Sequence, residues 1–317
     1  KCPAVWHWMS SCDDLLSNAA MRAITWAISG ISIFFNFVCL LLRLGKKKHK
    51  PFDMLVMSLC ISDSGYGIYL FIIAVADLIF RGKFVGYEET WRASITCKIA
   101  GLISLLSMLF SAYILVLITF FRTMSVCYPL EFKYKRLKTT LYSLFGGVFV
   151  LLFLVLFLSV WYYSVEGFVQ IPNPTCLFFD IGFKSYTLGL ATVLFIFVQL
   201  SSLLLIVILY LILTLTLRKQ RKQFGKMSKS KTRSSSPMSL HVISVTVTNI
   251  ACWLPSCIIY SLSLAGYPVQ ISVITWVAIV IMPINSALNP CLFTFSVSEI
   301  KRLFSIVPRR KHKKRRK

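Results

Sequence analysis

Seven stretches of roughly 20 or more mainly apolar residues, each adequate for a hydrocarbon core about 30 Å thick, leave this chain few folds to choose from. They run approximately from Met21 to Leu44, Met54 to Ile79, Ile99 to Val126, Thr139 to Tyr162, Tyr186 to Leu217, Leu240 to Leu264 and Ile271 to Phe295. Lipid offers main-chain N–H and C=O groups no partners, so each stretch must satisfy its own as a helix. The expected fold class is an all-α membrane protein, a seven-transmembrane helix bundle. A hydrophobic content of 57% over 317 residues excludes a soluble domain of this size.

An odd number of spans puts the termini on opposite sides, and charge says which is which. Most of the 35 Lys and Arg residues fall after segments one, three and five and in the tail. These clusters are Arg43 to Lys50, Arg122 to Lys138, Arg218 to Arg233 and Lys301 to Lys317, and the connections that hold them carry only three acids, Asp53, Glu131 and Glu299. The positive-inside rule makes the N-terminus extracellular and the tail cytoplasmic. The net charge of +24 then reads as topology and attraction to anionic inner-leaflet lipid, with no nucleic-acid partner. The tail from Pro308 to Lys317 would, in isolation, mimic a localisation signal.

The same topology divides the chain into an extracellular juxtamembrane segment (1–20), a membrane domain (21–306) and a basic cytoplasmic tail (307–317). A start at Lys1, without Met or signal sequence, reads as a mature or trimmed fragment. Arg81 to Trp91 is expected to be an external loop with turn glycines, and Arg218 to Pro237 a basic, Ser-rich connection. Beyond segment seven, Val297, Ile300, Leu303 and Phe304 share one face of a short amphipathic eighth helix lying on the membrane. There is no internal repeat, which weakens a transporter built from inverted halves.

Of the ten cysteines, Cys2, Cys12, Cys97 and Cys176 fall on the expected outside, where bridges persist. A Cys97 to Cys176 bond would close a loop of about 80 residues and contribute on the order of 4 to 5 kcal/mol on the chain-entropy model. Cys39, Cys60, Cys252, Cys257 and Cys291 lie within segments and read as small apolar core residues, with Cys127 at the cytoplasmic border.

Segment seven carries the run from Met282 to Phe293, which holds Asn285, Ser286, Asn289, Pro283 and Pro290 in an apolar context. Buried amides need partners and prolines loosen helices, so this run should face other helices as a kinked, polar-lined element. Asp63 is read as the one acid deep in a segment, with no Lys or Arg at matching depth. Asn36, Ser107, Ser111, Asn249, Asn285, Ser286 and Asn289 are the polar groups available to it. A carboxylate among such oxygens suits a small hard cation, and it equally suits a protonated acid in an interhelical hydrogen-bond network. Trp253, followed by Pro255, is a bulky ring at a kink. Enzyme chemistry has no support. His7, His49, His241 and His312 cannot gather, there is no phosphate loop, and segment seven lacks a lysine for retinal.

Together, Asn36, Leu59 with Asp63, Cys97 with Cys176, Arg122, Trp253 with Pro255, and Asn289 with Pro290 resemble the rhodopsin-like (class A) G protein-coupled receptors. Gly67 to Phe71, Asp77 to Gly82, and Trp276 with Pro283 to Pro290 are similar to the relaxin-type receptors, which carry leucine-rich repeats outside. The resemblance implies a disulfide between Cys97 and Cys176 and a sodium pocket of Asp63, Ser111, Asn285, Ser286 and Asn289. It further implies an activation switch at Trp253, Pro255, Pro290, Phe293 and Tyr210, and G protein contact through Arg122 and Leu130. It implies a peptide or protein ligand bound by an ectodomain upstream of Lys1, and a heterotrimeric G protein inside. Two residues depart from the family pattern. Phe121 replaces the acid before Arg122, which is expected to raise basal signalling, and Phe293 replaces a tyrosine, which is expected to weaken the active state. The competing readings are a channel or transporter using Asp63 and an atypical receptor that does not couple.

Overall fold

The computed structural model describes residues 13–16, 18–46, 50–128, 139–150, 153–154, 173–177, 186–227, 237–267, 269, 273 and 276–294. Cys2, Cys12, Leu130, the amphipathic stretch after segment seven and the basic tail lie outside the described residues.

The helices begin where the sequence supplies caps. Asn18 accepts from Met21 N at 2.7 Å and starts α1 (Ala19–Leu44). Pro51 opens α2 (Pro51–Phe80), where its missing N–H costs nothing, and Asp53 in the first turn accepts from Lys50 N at 3.3 Å. Ser94 accepts from Cys97 N at 3.1 Å and starts α4 (Ile95–Cys127). The remaining apolar helices are α5 (Thr139–Val150), α6 (Tyr186–Met227), α7 (Pro237–Leu264) and α8 (Met282–Thr294). Segment seven is not regular, because a π turn at Val277–Ile281 precedes α8, with Met282 N donating to Val277 O. Pro283, one residue on, lacks the N–H that would continue a tight ladder, and a widened turn absorbs that loss. Among the described residues these form seven apolar helices, and described stretches of four of them, α1, α2, α4 and α6, are both long and apolar enough to cross a membrane.

The external loop expected at Arg81 to Trp91 is corrected: Phe84–Ala93 forms a ten-residue helix, α3. Phe84, Glu88 and Trp91 fall on one face and are buried, which outweighs the cost of Gly86 in its interior. Gly82, at φ +72°, makes the turn into it.

Polarity is inverted relative to a water-soluble protein. Phe34 (61% exposed), Phe149 (73%) and Ile95 (74%) face outward, while Asn36, Asp63, Ser107, Ser111, Asn249, Asn285 and Asn289 are buried. Such a surface is compatible with lipid and not with water. Close helix approach depends on small residues: Ser29 Oγ donates to Gly67 O at 3.0 Å, and a Cβ on Gly67 would sit 2.9 Å from Ile33 Cγ1 and 3.2 Å from Ile33 N. Gly67→Ala is expected to separate α1 from α2 and cost about 1–3 kcal/mol, read as a lower melting temperature in detergent.

Cys39, Cys60, Cys252 and Cys257 are buried as expected, whereas Cys291 is exposed on the outer face of α8. The core reading of Cys291 is thereby corrected. Its neighbours Pro290 and Phe293 turn inward instead.

Candidate functional site

The buried polar residues converge on Asp63, midway along α2. Ser111 Oγ on α4 donates to Asp63 Oδ1 at 2.9 Å, and Asn289 Nδ2 on α8 donates to Oδ2 at 2.8 Å. The Ser286 hydroxyl also hydrogen-bonds to this carboxyl. Ser32 Oγ on α1 donates to the Asp63 main-chain carbonyl at 3.1 Å, and Ser62 Oγ donates to Ser107 O at 2.7 Å. Asn36 Nδ2 bridges Ser32 O and Ser286 O at 2.9 and 3.0 Å. One acid thus ties α2 to α4 and α8, and α1 is stitched to the same layer. Asn285 lies one turn from Asn289, and its Oδ1 is buried with no hydrogen-bond partner, as are Asn36 Oδ1 and Asn249 Oδ1.

Trp253 is buried in α7 with its ring 6.3 Å from Phe195, and its Nε1 has no hydrogen-bond partner. Pro255 and Pro290 lie inside α7 and α8. Tyr210 and Phe293 are brought together in a second buried cluster, toward the end of the bundle that carries most of the basic residues. Phe121 belongs to that same cluster, so the two departures from the expected pattern are one packing unit. Phe121 fills a site where an acid would be stranded. Arg122 is half-buried and makes no ion pair among the described residues. Thr123 donates to Thr119 O at 2.9 Å and reaches Leu209 O at 3.3 Å, joining α4 to α6.

At the opposite end Cys97 is bonded to Cys176. Residues 173–177 are all buried: Asn173 Oδ1 accepts from Leu177 N at 2.9 Å, Trp91 Nε1 donates to Pro174 O at 2.8 Å, and Tyr69 OH donates to Thr175 O at 2.9 Å. Leu15 and Leu16 are fully buried beside them. Reading Asp63 as the one deep acid missed Asp77, which is just as buried. Asp77 accepts from Leu16 N at 2.8 Å and from Arg22 Nε at 2.5 Å, while Arg22 Nη2 pairs with Asp14 at 3.0 Å.

Glu88 on α3 is buried with Oε1 lacking a hydrogen-bond partner, and Arg92 is 3.7 Å away. Burial raises its carboxyl above the ordinary 4.5, although the nearby Arg92 pulls it down. The ionised form is therefore the penalised one in the fold, so its cost is absent below about pH 4.5 and appears as pH rises. Glu88→Gln is expected to raise the melting temperature at pH 7 by roughly 1–2 °C, and the gain should vanish toward pH 4.

A layer of polar side chains around one acid, an arginine ending the third membrane helix and a disulfide from that helix's other end form a joint arrangement. The profile of the family described as "7 transmembrane receptor (rhodopsin family)" matches residues 36–293. The chain belongs to this family. It is therefore a multi-pass plasma-membrane protein of the seven-transmembrane receptor class, whose members are receptors and not enzymes. The relatives of this receptor include "G-protein coupled receptor GRL101" of Lymnaea stagnalis, 29% identical over 308 residues, which cover 94% of this chain and 26% of that protein. They include "Relaxin receptor 1" of Mus musculus, 26% identical over 304 residues, 93% of this chain and 39% of that protein. "Relaxin receptor 2" of Canis lupus familiaris is 28% identical over 300 residues, 92% of this chain and 40% of that protein. The receptor thus spans between about a quarter and two fifths of the length of these curated relatives. It is related to the relaxin-type receptors by sequence along nearly its whole length.

Proposed function

We propose that this chain is the membrane domain, residues 21–306, of a receptor that carries an extracellular, relaxin-like peptide signal to heterotrimeric G proteins. The N-terminus faces outside and the basic end faces the cytoplasm and its anionic lipid, following the positive-inside asymmetry. The observation that carries this reading is the Asp63 layer. One carboxyl joins α2, α4 and α8 through side chains alone, so a shift of α8 at one end must rearrange the layer and be felt by α4.

The disulfide end supports entry of the signal through protein segments. Residues 13–16 and 173–177 occupy the mouth of the bundle, so a ligand held by an ectodomain would act by moving them. Trp253 and Pro255 sit where α7 can pivot, Tyr210 and Phe293 belong to the cluster that would repack, and Pro290 lies inside α8 near Phe293 in sequence. Arg122, with Leu130 in the following connection, would meet the G protein. A ligand favours coupling only by binding the coupling conformation better. The test is second-messenger output from the full-length protein in cells given relaxin-type peptides. Peptide-dependent output that is lost in Arg122→Ala at equal surface expression is expected, and output indifferent to Arg122→Ala would refute the coupling role.

The Asp63 layer also fits a sodium ion. It offers one carboxyl, the hydroxyls of Ser111 and Ser286, the amide of Asn289, and the unpartnered Asn285 Oδ1 one turn away. A hard cation would supply charge neutralisation for Asp63 and so favour whichever conformation keeps these oxygens together. The melting temperature of the purified protein is expected to rise by a few degrees in NaCl relative to choline chloride, and to be indifferent to the salt in Asp63→Asn.

A further inference from the structure

Three helices meet on a single guanidinium at the basic end. Arg43, in the last turn of α1, is 3% exposed. Its Nη1 donates to Asp53 Oδ1 on α2 at 2.5 Å, and its Nη2 donates to the main-chain carbonyl of Phe293 on α8 at 2.7 Å. The guanidinium lies 5.7 Å from the centroid of the Phe52 ring, which in turn lies 6.4 Å from the Phe293 ring. Asp53 is itself held by Lys46 Nζ at 2.8 Å and by Lys50 N.

Topology alone does not explain this placement. An arginine that only marks the basic side would extend its head to water, because burying a guanidinium is costly. Arg43 points inward and spends one arm of its planar fork on another helix's backbone. The Phe293 carbonyl belongs to the last described turn of α8, and the Arg43 bond ties that turn to α1 and, through Asp53, to α2. The bond exists only while that turn stays wound and stays against α1 and α2. Arg122 on α4 has no ion pair among the described residues, so the charged interhelical restraint described at this end belongs to α1, α2 and α8.

We propose that Arg43, oriented by Asp53, clamps the Phe293 turn of α8 in the resting receptor and sets its ligand-independent output. Release of the Phe293 carbonyl frees that turn of α8 to move when a G protein engages. Arg43 and Asp53 are thus positioning residues. The inference rests on the receptor reading above.

The test uses the full-length protein with Arg43→Gln, Arg43→Lys and Asp53→Asn, and Arg122→Ala as control. Lysine keeps the charge but cannot bridge both acceptors with a rigid fork. Ligand-free second-messenger output per surface receptor is expected to rise roughly three- to tenfold in Arg43→Gln and Arg43→Lys, and less in Asp53→Asn. Amide hydrogen exchange at Cys291 to Thr294 in lipid should quicken in the same variants, a change that mere loss of folded protein would not confine to this turn. A misfolding defect would lower output, never raise it. If Arg43→Gln does not reach the surface, Arg43→Lys decides. Unchanged exchange, or faster exchange with unchanged output in a receptor whose wild type signals through Arg122, overturns the clamp. Wild-type output absent with every G protein, or indifferent to Arg122→Ala, would instead overturn the receptor reading, and the exchange measurement would still judge whether Arg43 holds α8.

Discussion

Arg22→Ala is expected to cost on the order of 3–5 kcal/mol, because it strands a fully buried carboxylate. Asp77 lies within α2 and is met by Arg22 at 2.5 Å and by Leu16 N at 2.8 Å, with Arg81 only at 3.8 Å. Removing the guanidinium takes away the strong partner and leaves the carboxylate's desolvation in place. It also loosens the stretch holding Leu15 and Leu16, since Arg22 reaches Asp14 as well. The loss should appear as a lower melting temperature in detergent and reduced surface expression. Removing both charges, as Arg22→Met with Asp77→Leu, should cost much less than Arg22→Ala, because no buried charge is then left alone. A single variant no worse than the double would contradict this account.

Cys97→Ser is expected to be comparably damaging, on the order of 4 to 5 kcal/mol, from the unfolded-state freedom that the bridge removes. The bond spans a sequence separation of 79. It also holds Cys176 at φ 60°, a conformation that a residue with a Cβ adopts reluctantly. Without it, the turn from Asn173 to Leu177 would be held across the mouth by hydrogen bonds such as those to Trp91 and Tyr69. Reducing agent should lower the wild-type melting temperature toward that of Cys97→Ser and leave the variant unmoved. Insensitivity of the wild type to reduction would defeat the prediction.

Much of the bundle is legible because lipid imposes length and self-satisfied hydrogen bonding on each span. The Asp63 partnership with Ser111 and Asn289 is legible for a related reason: an isolated carboxyl in an apolar segment must find the few polar side chains at its depth. Charges near helix ends carry no such compulsion in sequence, since water is within reach. Asp77 and Arg22 therefore look like boundary residues until the packing of α1 on α2 places them together. Arg43 is hidden in the same way, as one more basic residue in a topological cluster, and the positions of Asp53 on α2 and of Phe293, 250 residues away, turn it inward. The α3 helix was masked by Gly82 and Gly86, which are turn residues in isolation. Its stability comes from burying Phe84 and Trp91 on the bundle, a tertiary effect that overrides local propensity. Cys291 shows the limit of composition. Apolar character places it in the membrane, but the angular position on α8 decides which side it faces.

The most direct measurement is guanine-nucleotide exchange on purified heterotrimeric G proteins by the full-length protein reconstituted in lipid, compared with Arg122→Ala and Asp63→Asn. The account predicts accelerated exchange on at least one G protein class, abolished by Arg122→Ala and altered by Asp63→Asn, with no ion flux across the vesicles. Absence of exchange with every class, together with an ion flux that Asp63→Asn blocks, would contradict it.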